Sequence, residues 1–190
     1  MKEFNIFYVV FQLGNGIMSK HNTRILAIDP GMRYAGIAFF NGERLIYQGV
    51  SVIKGELPNE RLADGRKTIL RLIKDLRPQV LVVEKAFFAN NRRSGLLNVF
   101  VDGIISIGKR KGLRVISYAP TTVRKFICGD GWADKRTLSE VIVSKYPELK
   151  VYFTQDRAWK ERYHQNMFDA VALGLMALSM VVRRHNPQGV

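Results

Sequence analysis

A lone cysteine, Cys128, leaves the chain without a partner for an intramolecular disulfide and without the thiolate set of a zinc site. A reducing interior is the expected compartment. Long apolar runs are missing too. Phe4–Leu13 is too short to span a bilayer. Its leading Lys2 is offset by Glu3 and no small-residue cleavage site follows, which argues against a signal peptide. Acidic residues are scarce, 16 against 30 Lys plus Arg, and the net charge is +14. Such an excess asks for a polyanionic partner, nucleic acid first and an anionic membrane surface second. There is no internal repeat and no low-complexity tract.

What is present is enough for one domain with a sizeable core: 190 residues, 47% of them hydrophobic. Residues 1–22 read as an extension broken by Gly14-Asn15-Gly16, with Met18 able to serve as an ordinary start. A packed extra element or a partner-binding tail is the competing reading. The working domain is expected over residues 23–184, with a tail at 185–190.

The domain is organised around Arg24 to Phe40. Ile25, Leu26 and Ile28 form a short apolar strand that ends in Asp29. Pro30-Gly31 turns the chain, and Ala35–Phe40 resumes as a second strand. Asn41-Gly42 then signals a hairpin into Arg44–Ile53. A helix is expected over Pro58–Arg77, with Leu62, Ile69, Leu72, Ile73 and Leu76 largely on one face. Gln79–Val83 is a buried strand that ends in a second acid, Glu84. A helix from Ser94 to about Lys111 follows, striped by Leu97, Phe100, Ile104 and Ile107. Leu113–Ser117 is the fifth strand. Pro120–Cys128 and Asp134–Tyr146 are helices, Pro147–Tyr163 a polar connection, and Asn166–Arg184 the last helix. Three antiparallel strands followed by parallel ones give an α/β fold with a mixed five-stranded sheet.

An Asp before Pro-Gly often does no more than start a turn. Glu84 and a third acid change that reading. Asp169 lies near the start of the last helix, sharing a face with Asn166 and Leu173. If that face meets the strand ends, Asp29, Glu84 and Asp169 converge. Three carboxylates together raise one another's pKa, and divalent cations remove the cost. Oxygen-only sites suit Mg²⁺, with Mn²⁺ as substitute. Two ions roughly 4 Å apart can activate water and stabilise a leaving oxygen in phosphodiester cleavage.

Four blocks in this order carry a resemblance: Asp29-Pro30-Gly31 with Gly36, VVEKAFF around Glu84, APTTVRKFICGDGWADK, and FDAVALGL. Together they resemble the RuvC-type Holliday junction resolvases of the RNase H-like superfamily, over about Arg24 to Leu178. The resemblance implies an RNase H-like fold, a homodimer through the Ser94–Lys111 helix, and Mg²⁺-dependent paired nicking of four-way DNA junctions, two ions per active site. It also implies a cytoplasmic setting in a bacterial or archaeal cell, or in a phage's host; any helicase partner is left open. Asp29, Glu84 and Asp169 match the family's metal-binding acids. Phe87 matches an aromatic that enters the junction centre, and Lys135 a basic residue near the scissile phosphate. The family's fourth ligand, Asp or His, falls on Asn166, whose amide oxygen can coordinate Mg²⁺ but brings no charge. An Asp there is expected to raise activity at low Mg²⁺. His164 would join the metal set only from a loop ahead of the helix.

Basic residues at Arg92-Arg93, Arg124-Lys125 and Lys135-Arg136 interleave with Phe87, Phe88 and Trp132. The cations suit phosphates, and the aromatics suit unpaired bases. An actin-like ATPase, a non-catalytic junction-binding protein, and a related nuclease on other branched DNA or RNA–DNA hybrid are the competing functions. The first is disfavoured by size, since two halves usually enclose the nucleotide.

Overall fold

The structure is a computed structural model that describes residues 23–85, 92–153 and 158–184; of residues 92–94, 158–162 and 181–184 only the backbone is described. The expected N-terminal extension, the 185–190 tail, Phe87 and Phe88 lie outside these residues.

Five strands form one sheet: β1 Arg24–Asp29, β2 Tyr34–Asn41, β3 Arg44–Val52, β4 Val80–Glu84 and β5 Arg114–Tyr118, in the order β3-β2-β1-β4-β5. β1 pairs antiparallel with β2 and parallel with β4; β2–β3 is antiparallel and β4–β5 parallel. The mixed sheet expected from the sequence is therefore the one observed.

The side-chain period of two divides β1 between two cores. Ile25 and Ala27 face one, with Phe40 of β2 and Val82 of β4; Leu26 and Ile28 face the other, with Phe39 and Val83. Both faces of β1 are covered, which is why its sequence reads as a continuous apolar run. The second core is closed by α1 (Pro58–Leu76) and α2 (Arg92–Arg110). The first is closed by α3 (Pro120–Cys128), α4 (Lys135–Lys145) and α6 (Ala158–Arg184), with a 3-10 turn at Pro147–Leu149 and the short α5 (Lys150–Phe153).

Two expectations are corrected. The last helix begins at Ala158, eight residues before Asn166, so the polar stretch ahead of it is partly helical. Tertiary contacts support that early start. The Tyr163 ring meets Tyr34 edge-on, with centroids 5.3 Å apart, and its hydroxyl donates to the Val50 carbonyl at 3.4 Å. Polarity marked this stretch as a connection, but aromatic side chains with polar tips can cover a sheet edge.

The second correction concerns the stripe on α2 expected to join two protomers. Phe100, Ile104 and Ile107 are buried within the protomer, against α1 and the sheet. Gly108 of α2 and Gly65 of α1 serve the same packing. A Cβ on Gly108 would press on Leu81 at 2.6 Å and Val115 at 2.8 Å, and one on Gly65 of α1 would press on the Phe100 ring at 2.5 Å. Val99 is the large apolar residue that α2 leaves exposed. Phe100→Glu is thus expected to lose at least about 4 kcal/mol of stability, from a cavity plus a buried unpaired charge. Val99→Glu should still fold, with a far smaller fall in melting temperature than Phe100→Glu. Circular-dichroism melts of the two variants check this.

Candidate active site

Asp29 closes β1, and Glu84 closes β4 beside it. The two strands run parallel with Ile28 opposite Val83, so their terminal acids emerge at the same end of the sheet. Asp169 comes from α6, which crosses β1 and β2. The crossing is tight because Gly36, directly opposite Asp29 in the β1–β2 register, abuts the backbone carbonyl of Asn166. The Asn166 side-chain amide also donates to the Tyr34 carbonyl at 2.9 Å. These two contacts hold the first turns of α6 against β2, and Asp169 follows three residues later.

The electrostatics show that the three acids face one another. Burial pushes the Asp29 carboxyl well above the usual carboxylate range, and the charges of Glu84 and Asp169 add to it. Glu84 is pushed up to about 7, first by burial and then by Asp169. Burial raises Asp169 as well. Two cations oppose these shifts. Lys135, in the first turn of α4, acts on all three acids, and Arg124 of α3 acts on Glu84 and Asp169. Lys135 is held in place by the helix start itself: Asp134 caps α4 by accepting from the Thr137 amide at 2.7 Å.

A buried polar relay joins the Lys135 helix to Asp169. The Ser139 hydroxyl donates to the Lys135 carbonyl at 2.9 Å and lies 3.5 Å from the Gln165 amide oxygen. Gln165 in turn donates through Nε2 to Asp169 Oδ1 at 3.3 Å, which favours the ionised carboxylate. Ser139 and Gln165 are both buried. Neither emerged from the sequence reading, although the four-residue spacing of Gln165 and Asp169 on one helix was visible there. The Ser139 contact joins residues 26 apart, and no sequence pattern signals it.

Among the described residues, no group of three Asp, Glu, His or Cys side chains is gathered tightly enough to hold an ion as it stands. The donor chemistry nonetheless fits a hard divalent cation. It is a set of carboxylate oxygens, largely removed from water and mutually repelling. Asp29 and Glu84 have no ion pair or side-chain hydrogen bond with another described residue. A cation relieves that repulsion.

His164 is corrected out of this set. It lies inside α6, not in a loop ahead of it, with its ring 5.0 Å from that of Tyr152 and 5.1 Å from that of Tyr163. Five residues from Asp169 on a helix, it points to a different face. Asn166, one helical turn before Asp169, has its NH₂ engaged by the Tyr34 carbonyl, so Oδ1 is the atom left to ligate a metal. Asn166→Asp exchanges that NH₂ for a carboxylate oxygen facing a carbonyl. The expected result is a loss of about 1–2 kcal/mol in the metal-free protein, partly recovered as Mg²⁺ is added. Melting curves across a Mg²⁺ titration check it.

The remaining basic residues differ in setting. Lys125 is exposed on α3 beside Arg124. Arg136 is engaged on the surface, its Nε 3.1 Å from Glu140 and its guanidinium 5.9 Å from the Phe153 ring centroid. The side chains of Arg92 and Arg93 lie outside the described residues. A groove of about 1070 Å³ along α1, with Lys67, Arg71 and Lys74 in its wall, contains none of the acids.

Residues 25–158 match the family described as crossover junction endodeoxyribonuclease RuvC. The crossover junction endodeoxyribonuclease RuvC of Myxococcus xanthus is 33% identical over 132 residues, 66% of this chain and 69% of that one. Among solved structures, Thermus thermophilus RuvC in complex with Holliday junction substrate superposes with a TM-score of 0.63 at 17% identity, covering 86% of this chain and 96% of that one. The yeast mitochondrial Holliday junction resolvase Ydc2 does so with a TM-score of 0.62 at 13% identity, covering 96% and 87%. At such identities the two structures speak for the fold, and the match over residues 25–158 speaks for the family. The chain belongs to the crossover junction endodeoxyribonuclease RuvC family.

Proposed function

We propose that the chain is a structure-selective endodeoxyribonuclease that resolves four-way DNA junctions. The observation that carries this is the meeting of Asp29, Glu84 and Asp169 at one end of the sheet, faced by Lys135 and Arg124. Family membership and the +14 charge support the substrate class.

Asp29, Glu84 and Asp169, with the Asn166 Oδ1, would hold Mg²⁺, two ions per site. When bound there, divalent ions activate water and stabilise the leaving oxygen of a phosphodiester. The chain's own residues do the rest. Lys135 and Arg124 bind the scissile phosphate and counter the charge that builds on it. Gln165 orients the Asp169 carboxylate and keeps it ionised. The buried end of β1 keeps bulk water away from Asp29. Arg92, Arg93, Lys125 and Arg136 extend the phosphate contacts, and Phe87 and Phe88 follow Glu84 closely enough to act on bases at the crossover.

Two copies are needed to nick two opposed strands of a two-fold junction. The dimer surface on α2 is its outer side around Val99, because the Phe100 stripe is used inside the protomer. The reading also carries a cytoplasmic location. No helix among the described residues is long and apolar enough to cross a membrane.

The test is a substrate panel in Mg²⁺: four-way junction, flap, duplex and RNA–DNA hybrid at matched salt. Selective cutting of the junction is expected. Equal cutting of the hybrid would favour the related-nuclease reading, and binding without cutting the non-catalytic one.

A further inference from the structure

Trp132 is the most exposed of the large apolar side chains described, at 86% of its surface. No described ring, cation or hydrogen-bond partner meets its indole. Yet the backbone around it is tied down at both ends. The Asp130 carboxylate accepts from the Trp132 amide at 2.9 Å, closing a small turn. Gly131 lies flat on α3: a Cβ there would stand 3.0 Å from the Thr121 carbonyl and 3.7 Å from the Lys125 Cβ. Two residues later Asp134 caps α4. The loop thus presents an uncovered indole one residue after Gly131, which rests on α3 beside Lys125, and three residues before Lys135. Lys135 is the cation whose charge reaches all three acids.

Leaving that much apolar surface in water gains nothing for folding. A loop pinned at both ends also removes the conformational cost of presenting the ring. The flanking cations select a polyanion, and the flat ring selects a π-face. We infer that Trp132 is a fixed stacking platform for an unpaired nucleobase at the branch point, on the strand whose phosphate Lys135 engages, and that it sets the preference for branched over fully paired DNA. This rests on the nuclease reading above. A continuous duplex keeps its bases stacked on one another, so it offers the indole no face; a branch point does.

The chain has two tryptophans, Trp132 and Trp159, so Trp159→Phe leaves Trp132 as the sole indole reporter. Binding is measured without divalent ions, at matched salt, on a four-way junction and on a duplex of the same sequence. Expected are quenching of Trp132 emission by the junction and not by the duplex, and about a tenfold loss of junction affinity in Trp132→Ala. Duplex affinity and melting temperature should stay unchanged, and Trp132→Phe should recover most of the loss. Emission that ignores the junction, or Trp132→Ala binding junctions as the wild type does, would overturn the inference. So would a change of sedimenting species in Trp132→Ala, which would place the indole in a contact between copies. If the wild type cuts no junction but the quenching and the tenfold loss are seen, the nuclease reading fails and the platform stands. If it cuts junctions and Trp132→Ala binds them normally, the reverse holds.

Discussion

Asp29→Asn is expected to reduce junction cleavage by at least about a thousandfold while leaving junction affinity nearly intact. The amide keeps the shape of the site but removes the most buried of its three negative charges, so metal can no longer be held as the chemistry requires. Affinity comes mainly from cations on phosphates and does not depend on Asp29. The variant has a second signature that a merely damaged protein would lack. In the metal-free protein, burial and the neighbouring acids hold the Asp29 carboxyl above its ordinary pKa. The folded state therefore binds more protons than the unfolded state once pH exceeds the unfolded value. Stability from this group is present at low pH and is lost as pH rises through the window above about 4. Glu84 behaves alike, over a window from 4.5 to about 7. At pH 8 without metal the wild type carries more of this penalty than at pH 4, and Asp29→Asn should melt higher by on the order of 5 °C. The gap should close as pH falls towards 4. Mg²⁺ should raise the wild-type melting temperature at pH 8 and leave the variant nearly unmoved. Nicking at the wild-type rate by Asp29→Asn, or a variant that melts lower than wild type at pH 8, would remove Asp29 from the site.

Gly36→Ala should cost about 3 kcal/mol or more, and cleavage with it. Gly36 lies opposite Asp29 in the sheet, and its missing side chain is what lets α6 come close. A Cβ there would collide with the Asn166 carbonyl and stand 3.0 Å from the Met167 amide nitrogen. Both obstacles are backbone, so no side-chain rotation relieves the clash. The helix must move, taking Asp169 away from Asp29 and Glu84. Gly95→Ala is the control: a Cβ at Gly95 meets nothing within 4 Å, and the change should stabilise α2 by about 0.5–1 kcal/mol. Melting curves paired with Mg²⁺-dependent cleavage rates decide. A Gly36→Ala protein that melts and cuts like wild type would mean that α6 does not rest on β2 as described.

Much of this site was legible in the sequence because buried strands and acids make an improbable pairing. Asp29 and Glu84 each end an apolar run, and a carboxylate there needs a reason. Asp169 could be placed by helical spacing once the last helix was recognised. The limits came from contacts that pattern does not encode. An apolar stripe states that something covers it, not what; Phe100, Ile104 and Ile107 fitted a dimer contact until α1 was seen against them. The polar start of α6 looked like a connection because its support comes from Tyr34 and Val50, more than a hundred residues earlier. Arg124 was legible as a phosphate contact, but its reach to Glu84 and Asp169 depends on how α3 is set against α6. Ser139 and Gln165 needed the packing of α4 on α6.

The measurement that bears most directly on the central reading is cleavage of a supercoiled plasmid that extrudes a cruciform. A dimer cutting both opposed strands in one encounter converts the circle to linear product, whereas independent cuts accumulate nicked circles first. With Mg²⁺ the wild type is predicted to give linear product at the cruciform base without a lag, and Asp29→Asn to give neither product while still retarding the plasmid's junction in a gel. Nicked circles scattered over the plasmid, or linear product undiminished in Asp29→Asn, would contradict it.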